Sequence, residues 1–529
     1  MQILSKATIF HLIIGLMMFG ITSCSNHQPV QPFTFVEASI ESVQSAIHAG
    51  TATCESIISG YLARITAYDK KSGMNAIIFT NQNALVKAKA IDQKIASGAV
   101  MGKLFCVPVL LKDNYDTGDM PTSGGSVALK NSIPPDDSFM VRKLREAGAI
   151  IIAKTNMAEW AFSARQTISS SYGTTANAYD LGRVPAGSSG GTASATAASF
   201  GIIGMGSDTG NSIRGPSAHL ALFGIRSTIG LTSRDGIIPL AFDRDIAGPM
   251  TRTVSDGAKV FSVIAGYDPA DAYTELGKTH VEDNYTQFLN VDALQGKRIG
   301  VLNALVYTED ADSEVIKIFE QAVTDLKAAG AEIVSDFSID RLKEHMNAEN
   351  FCVRFRYDMQ VYLTSLGADA PISDVMDVMK NKAYSPYIED RLKFFGANAP
   401  DLHPQYFDPP CPDFPQHEGR QAFLADVTTA MDAANIDAMV YPSWTNPPAH
   451  LNKAIEEYRG DNSQLIAPAT GLPAVTVPMG YSYGKLPAGL QILGRPYSEG
   501  LLIGLAYAYE QATMHRKPPQ GFAELEKQK

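Results

Sequence analysis

The chain has 529 residues, 45% of them hydrophobic and 19% charged, enough for one large domain or two to three ordinary ones with a sizeable core. Acidic residues outnumber basic ones by 55 to 44, and the formal charge of −11 argues against a nucleic-acid partner and against adsorption to anionic lipid. Five cysteines are too few for a disulfide scaffold. Cys54, Cys106, Cys352 and Cys411 form no CxxC pair and no zinc-like spacing, so no metal is expected. Cys106 is read as a packed residue at the start of an apolar strand, and Cys352 with Cys411, the only pairing considered, is expected to stay unpaired.

Lys6 precedes an apolar run at 7–21, followed by Thr22, Ser23 and Cys24. That run is shorter than the ~20 residues of a membrane span and ends in small residues, as a secretory leader does. Ile21-Thr22-Ser23-Cys24 also resembles the lipobox of bacterial lipoproteins. The resemblance implies removal of residues 1–23, lipidation at Cys24, a polar, proline-containing tether over 24–34, and a place in the cell envelope facing the periplasm. An uncleaved anchor is the alternative, and it also attaches the chain to a membrane.

Ile40, Val43 and Ile47 recur at helical spacing, as do Ile57, Ile58, Tyr61, Leu62 and Ile65. A short strand is expected over 76–79 and a helix over 82–96. Residues 106–111, CVPVLL, form an apolar run without alternation, the pattern of a strand buried on both faces, and it stops at Lys112-Asp113-Asn114. A helix over 139–147 leads into a strand at 149–153. A slim helix of Ala, Ser and Thr over 192–199 is followed by a strand at 202–205, a helix at 212–222 and a strand at 224–227. Thr253 and Asp256 cap a helix to about 265. Strands at 298–302 and 331–334 enclose a helix over 313–329, and later strands are expected at 438–441, 474–477 and 489–493, before a helix at 501–512.

Such alternation predicts an α/β fold: one large domain over 35–520, its mixed, mostly parallel central sheet covered by helices on both faces. Residues 335–430 break the rhythm with clustered Tyr, Phe and Pro and are read as an insertion, either an ordinary surface segment or a helical cap over a pocket. Residues 521–529 are a polar tail.

The chemistry concentrates in residues 185–214, where two small-residue turns, GSSGG at 187–191 and DTGNS at 208–212, each precede a helix. Glycine permits close backbone approach, and a helix start offers free N–H groups to a negative oxygen. Ser188 and Ser212 stand in these turns, and Lys112 ends the fully apolar strand. Burial lowers a lysine's pKa, which makes a neutral base, and a serine hydroxyl needs such a base to become a nucleophile. Taken singly, each has an ordinary reading, a surface lysine or a turn-forming serine. Gly187-x-Ser189-x-Gly191 also satisfies the nucleophile-elbow pattern, but 180–185 makes a poor preceding strand, and His219, inside a helix, suits packing better than catalysis. Ser482-x-x-Lys485 matches a penicillin-binding motif but falls on a hairpin tip.

Together, Lys112-Asp113-Asn114, PAGSSGGT at 185–192 and SDTGNSIRGPSA at 207–218 resemble the amidase signature family of serine hydrolases. The likeness continues through GIRSTIGLTSRDGIIP at 224–239 and DIAGPMTRTVSD at 245–256, and returns in GLPAVTVPMG, PAGLQILGRP and AYAYEQAT near the C-terminus. It implies cofactor-free hydrolysis of a carboxamide through an acyl-enzyme, with Ser212 as nucleophile, Ser188 as a bridging serine after a cis peptide bond, and Lys112 as base. The backbone N–H groups of Thr209, Gly210, Asn211 and Ser212 would hold the oxyanion, and Asp208 and Arg214 would pair to shape the turn. Asn211 departs from the family's usual glycine, adding a side chain near the pocket wall. The same resemblance allows an amidotransferase A-type subunit, or a lipid-anchored binding protein on a silent scaffold. The TSRDGIIP (232–239) and DIAGPM (245–250) region resembles enzymes that act on peptide C-terminal amides, and the aromatic residues of 335–430 suggest an apolar or aromatic acyl group.

Overall fold

The computed structural model describes residues 33–348 and 351–526. The expected leader, Cys24 and most of the tether lie outside the described residues.

Helices begin where a side chain satisfies the first free N–H groups. Ser39 and Ser42 form a reciprocal capping box before Ile40–His48, and Thr53 and Ser56 do so before Cys54–Ser72. Thr253 accepts from Asp256 N at 3.1 Å to open Val254–Ile264, and Asp312 accepts from Glu314 N and Val315 N at 3.0 and 3.2 Å to open Ser313–Ala328.

Eleven strands form the central sheet: β1 Ile77–Thr80, β2 Pro108–Lys112, β3 Ile150–Thr155, β4 Ile203–Asp208, β5 Phe223–Arg226, β6 Ile246–Thr251, β7 Arg298–Val301, β8 Glu332–Val334, β9 Ala438–Pro442, β10 Ala474–Ser482 and β11 Leu486–Leu493. Their spatial order is β1-β3-β2-β4-β6-β5-β10-β11-β9-β7-β8. The sheet is mixed. Parallel pairing gathers in two blocks, β3-β2-β4 and β9-β7-β8, and antiparallel ladders join them through β6, β5, β10 and β11. All five residues of β2 are buried, as the unbroken apolar run requires of a strand with neighbours on both sides. β6 is absent from the expected strands, because Gly248 and Pro249 at its centre read as a turn. The helix expected over 212–222 shortens to Arg214–His219, since 209–213 form the turn before it.

Gly190–Ala197 packs on β2 and β4, Val254–Ile264 on β6, and Glu499–Thr513 on β10. Residues 335–430 carry the helices Leu342–Asn347, Phe355–Ser365, Asp377–Lys380, Glu389–Phe395 and most of Glu418–Ala433. Phe355, Met359, Leu392 and Phe395 share a small core with Trp160 and Phe162, so the segment docks on the loop after β3.

Cysteine pairing differs from the expectation of free thiols. Cys54 and Cys106 form a disulfide with Cα atoms 5.5 Å apart, and Cys352 and Cys411 form another at 5.8 Å. Sequence spacings of 52 and 59 residues give no hint of either, because both contacts are made by the tertiary fold. The first ties the start of Cys54–Ser72 to the chain just ahead of β2.

Candidate active site

β2 delivers Lys112 to the heart of the molecule. Its pairing with β4 sets Leu111 opposite Met205, so the chain ends just beyond, Lys112 and Ser207, meet. Lys112 is fully buried, and its Nζ donates to Ser188 Oγ and to Ser207 Oγ, both at 2.7 Å. Asn114 Nδ2 donates to the same Ser207 hydroxyl at 3.0 Å. Burial pulls Lys112 down to about 7, against the opposing pull of Asp245 and Asp208. A substantial neutral fraction therefore exists at neutral pH. If this amine is the base, kcat/KM rises as pH climbs through about 7 and levels off above it. A profile flat between about pH 5 and about pH 9 excludes Lys112 as the base.

Ser188 follows a cis peptide bond after Gly187 and lies just ahead of Ser189, the N-cap of Gly190–Ala197. The glycines of this turn are needed for close approach: a Cβ on Gly187 would collide with the carbonyl oxygens of Ser163 and Gln166, and one on Gly191 with that of Asn156. Ser189 is also buried, and its Oγ donates to the Ser207 carbonyl at 3.2 Å, facing the sheet rather than a cavity. His219 packs on Trp444 with ring centroids 4.5 Å apart, and burial pushes it down to about 3. Neither forms part of an elbow-type site. Ser482 and Lys485 lie at the β10–β11 hairpin, where Lys485 pairs with Asp180 at 2.7 Å.

The second turn is held from behind. Asp208, at the end of β4, accepts from Arg214 Nε and Nη2 at 3.2 Å each, from Arg226 Nη1 at 3.0 Å and from the backbone N–H of Ile213 at 3.1 Å. These two guanidinium groups outweigh its complete burial and hold Asp208 down at about 2. Arg214 Nη2 also donates to Gly210 O at 2.6 Å. With Asp208 occupying the N–H groups of Ile213 and Arg214, those of Gly210, Asn211 and Ser212 meet no protein acceptor among the described residues. Thr209 Oγ1 hydrogen-bonds Asp245 Oδ1.

Asn211 fits this turn without a left-handed conformation, because neither it nor Gly210 has positive φ. Its Nδ2 donates to Asp461 Oδ2 at 2.8 Å and to Ala164 O at 3.3 Å. Gly215 leaves room for that amide, since a Cβ there would come within 2.6 Å of Asn211 Nδ2. The expected extra side chain thus becomes a strut to the 461 loop.

Ser212 lines a cavity of about 330 Å³ together with Thr209, Gly210 and Asn211. Phe162, Phe351, Phe394 and Phe395 provide apolar wall, the last three from the 335–430 segment. Glu159 anchors that segment: its carboxylate accepts from Ser170 Oγ at 2.7 Å and Ser385 N at 3.0 Å, and burial pushes it up to about 7. Lys112 and Ser188 are therefore in direct contact, and Ser212 stands in the adjoining turn with its Oγ 3.5 Å from Asn211 Oδ1 rather than bonded to Ser188.

Sequence reasoning missed Ser207, Arg226 and Asp461. Ser207 immediately precedes the recognised Asp208, and Arg226 lies in the GIRS stretch, but only the register of β4 with β2 and β5's place in the sheet give them a role. Among the described residues no cluster of three or more His, Cys, Asp or Glu side chains is arranged to hold a metal.

Comparison with known proteins extends this picture. The Amidase family profile matches residues 56–503. The A-type subunit of a glutamyl-tRNA(Gln) amidotransferase from Microcystis aeruginosa is 35% identical over 491 residues, covering 88% of this chain and 96% of the relative. A probable amidase of Arabidopsis thaliana is 28% identical over 541 residues and covers 98% of each chain. The native peptide amidase of Stenotrophomonas maltophilia superposes with a TM-score of 0.81 at 34% identity, covering 92% of this chain and 99% of that one. A match spanning most of the chain, on a fold that brings Lys112 and Ser188 together, establishes that the protein belongs to the Amidase family of amide-hydrolysing enzymes.

Proposed function

We propose that the protein hydrolyses linear carboxamides to a carboxylic acid and ammonia or an amine, with Ser212, Ser188 and Lys112 as catalytic residues. The 2.7 Å contact between Lys112 Nζ and Ser188 Oγ, made by a lysine that burial holds near neutrality, carries this reading. Neutral Lys112 takes the Ser188 proton as Ser188 takes that of Ser212. Ser212 Oγ attacks the amide carbonyl, and the N–H groups of Thr209, Gly210, Asn211 and Ser212 receive the oxyanion, each donor worth about 3 kcal/mol in such sites. The proton returns along the relay to the leaving nitrogen, whose C–N bond breaks, and water then hydrolyses the acyl-enzyme. Likeness to a peptide amidase and the phenylalanine-lined wall support C-terminal peptide amides or aryl and alkyl amides as substrates. The apolar run at 7–21, followed by the lipobox-like Ile21-Thr22-Ser23-Cys24, supports an exported, lipid-anchored enzyme.

A fluorophosphonate probe followed by mass spectrometry tests the nucleophile on residues 25–529. Labelling is expected at Ser212, falling sharply in Lys112→Ala. Labelling at Ser189 overturns the mechanism in favour of an elbow-type hydrolase, and labelling at no serine of the folded protein overturns it in favour of the silent-scaffold alternative. A second reading, an amidotransferase A-type component, is favoured by the Microcystis relative. Ammonia release from free peptide amides exceeding that from glutamine separates the first reading from the second.

A further inference from the structure

Three arginines, Arg165, Arg244 and Arg391, line the Ser212 cavity, and among the described residues no aspartate or glutamate does. Arg165 is half-buried and Arg391 exposed at the cavity mouth, in a protein of net charge −11 whose fully buried arginines are mostly matched to carboxylates. Arg214, Arg234, Arg354 and Arg420 each face an aspartate at 3.2 Å or less. By contrast, Arg165 and Arg391 have no carboxylate partner among the described residues. Arg165 lies over the Tyr458 ring at 5.8 Å, and burial together with the charge of Arg391 holds it below its ordinary value. Two cations gathered on one cavity wall repel each other, an arrangement that an anion entering between them relieves. Guanidinium is also the side chain best shaped to grip a carboxylate through paired N–H donors.

They come from different parts of the chain. Arg165 follows the loop carrying Phe162, and Arg391 sits on Glu389–Phe395 of the 335–430 segment. The charged site thus exists only where that segment meets the catalytic loop.

We propose that the cavity selects amides whose acyl part carries a carboxylate, such as peptide amides with an acidic C-terminal residue, and that Arg165 and Arg391 are the specificity-determining residues. This rests on the reading of Ser212 as nucleophile. Ammonia release is measured from N-acetylated glutamate, methionine and lysine α-amides, three side chains of similar length and different charge. The wild type is expected to rank glutamate above methionine above lysine in kcat/KM, with about tenfold or more between the extremes, the size of one charge-assisted hydrogen bond. In the Arg165→Gln/Arg391→Gln variant the glutamate and lysine amides converge, the glutamate amide losing more than the methionine amide and the lysine amide gaining relative to it. Added salt narrows the wild-type preference as well. No charge preference in the wild type, or equal losses on all three amides in the variant, overturns the proposal. If Ser212 still takes the fluorophosphonate label in that case, the catalytic assignment stands and only the charge selectivity falls.

Discussion

Replacing Lys112 by methionine lowers kcat/KM for amide hydrolysis by about four orders of magnitude, the loss seen when a base is removed from a serine relay. Methionine keeps the length of the aliphatic stem within the buried strand end, so the fold is expected to survive with an unchanged circular dichroism spectrum. Two hydroxyls, Ser188 and Ser207, lose their shared donor, and among the described residues no other side chain hydrogen-bonds the Ser188 hydroxyl. Ser212→Ala gives a loss of similar size, and the Lys112→Met/Ser212→Ala double variant is no worse than either single one, because residues acting as a unit do not add. Steady-state ammonia release reads all three. A Lys112→Met enzyme within about tenfold of wild type removes lysine from the chemistry.

Asp208→Asn produces the largest loss of stability. The side chains of Asp208, Arg214 and Arg226 are completely buried, and asparagine would leave two guanidinium groups in the interior without a counter-charge. Breaking a buried ion pair from one side costs about 3–5 kcal/mol, because the remaining charge stays desolvated. Urea unfolding is expected to move to a lower midpoint by that margin, and fluorophosphonate labelling at Ser212 to slow even where the protein is folded. Adding Arg226→Met to Asp208→Asn restores part of the stability, since one orphaned cation is then gone. A variant as stable as wild type shows that the triad of charges is solvated and does not hold the turn.

Much of the site was legible because its chemistry lies in contiguous stretches. The unbroken apolar run into Lys112, the glycines of 187–191 and the DTGNS turn each advertise a local requirement: two-sided burial, close backbone approach, and a turn ahead of a helix. Asp208 and Arg214, six residues apart on either side of the turn, pair as the family resemblance implied. What stayed hidden depends on register and on distant segments. Ser207 matters only because β4 runs parallel to β2, and Arg226 only because β5 lies two strands away, across β6. Both disulfides join residues more than 50 positions apart that meet only after folding. β6 was masked by its own Gly248-Pro249, which reads locally as a break and is tolerated where the sheet pairs around it. Asp461 reaches the site from 250 residues away through Asn211, the position where the family pattern is broken.

The atoms proposed to make and break bonds all come from residues 112–214, whereas much of the wall facing an incoming molecule, Phe351, Arg391, Phe394 and Phe395, comes from a later stretch fastened to the first by the Glu159–Ser385 contact. Inherited change can therefore fall on one stretch without touching the other. The fit of an incoming amide can therefore change while the residues proposed to cut it stay as they are.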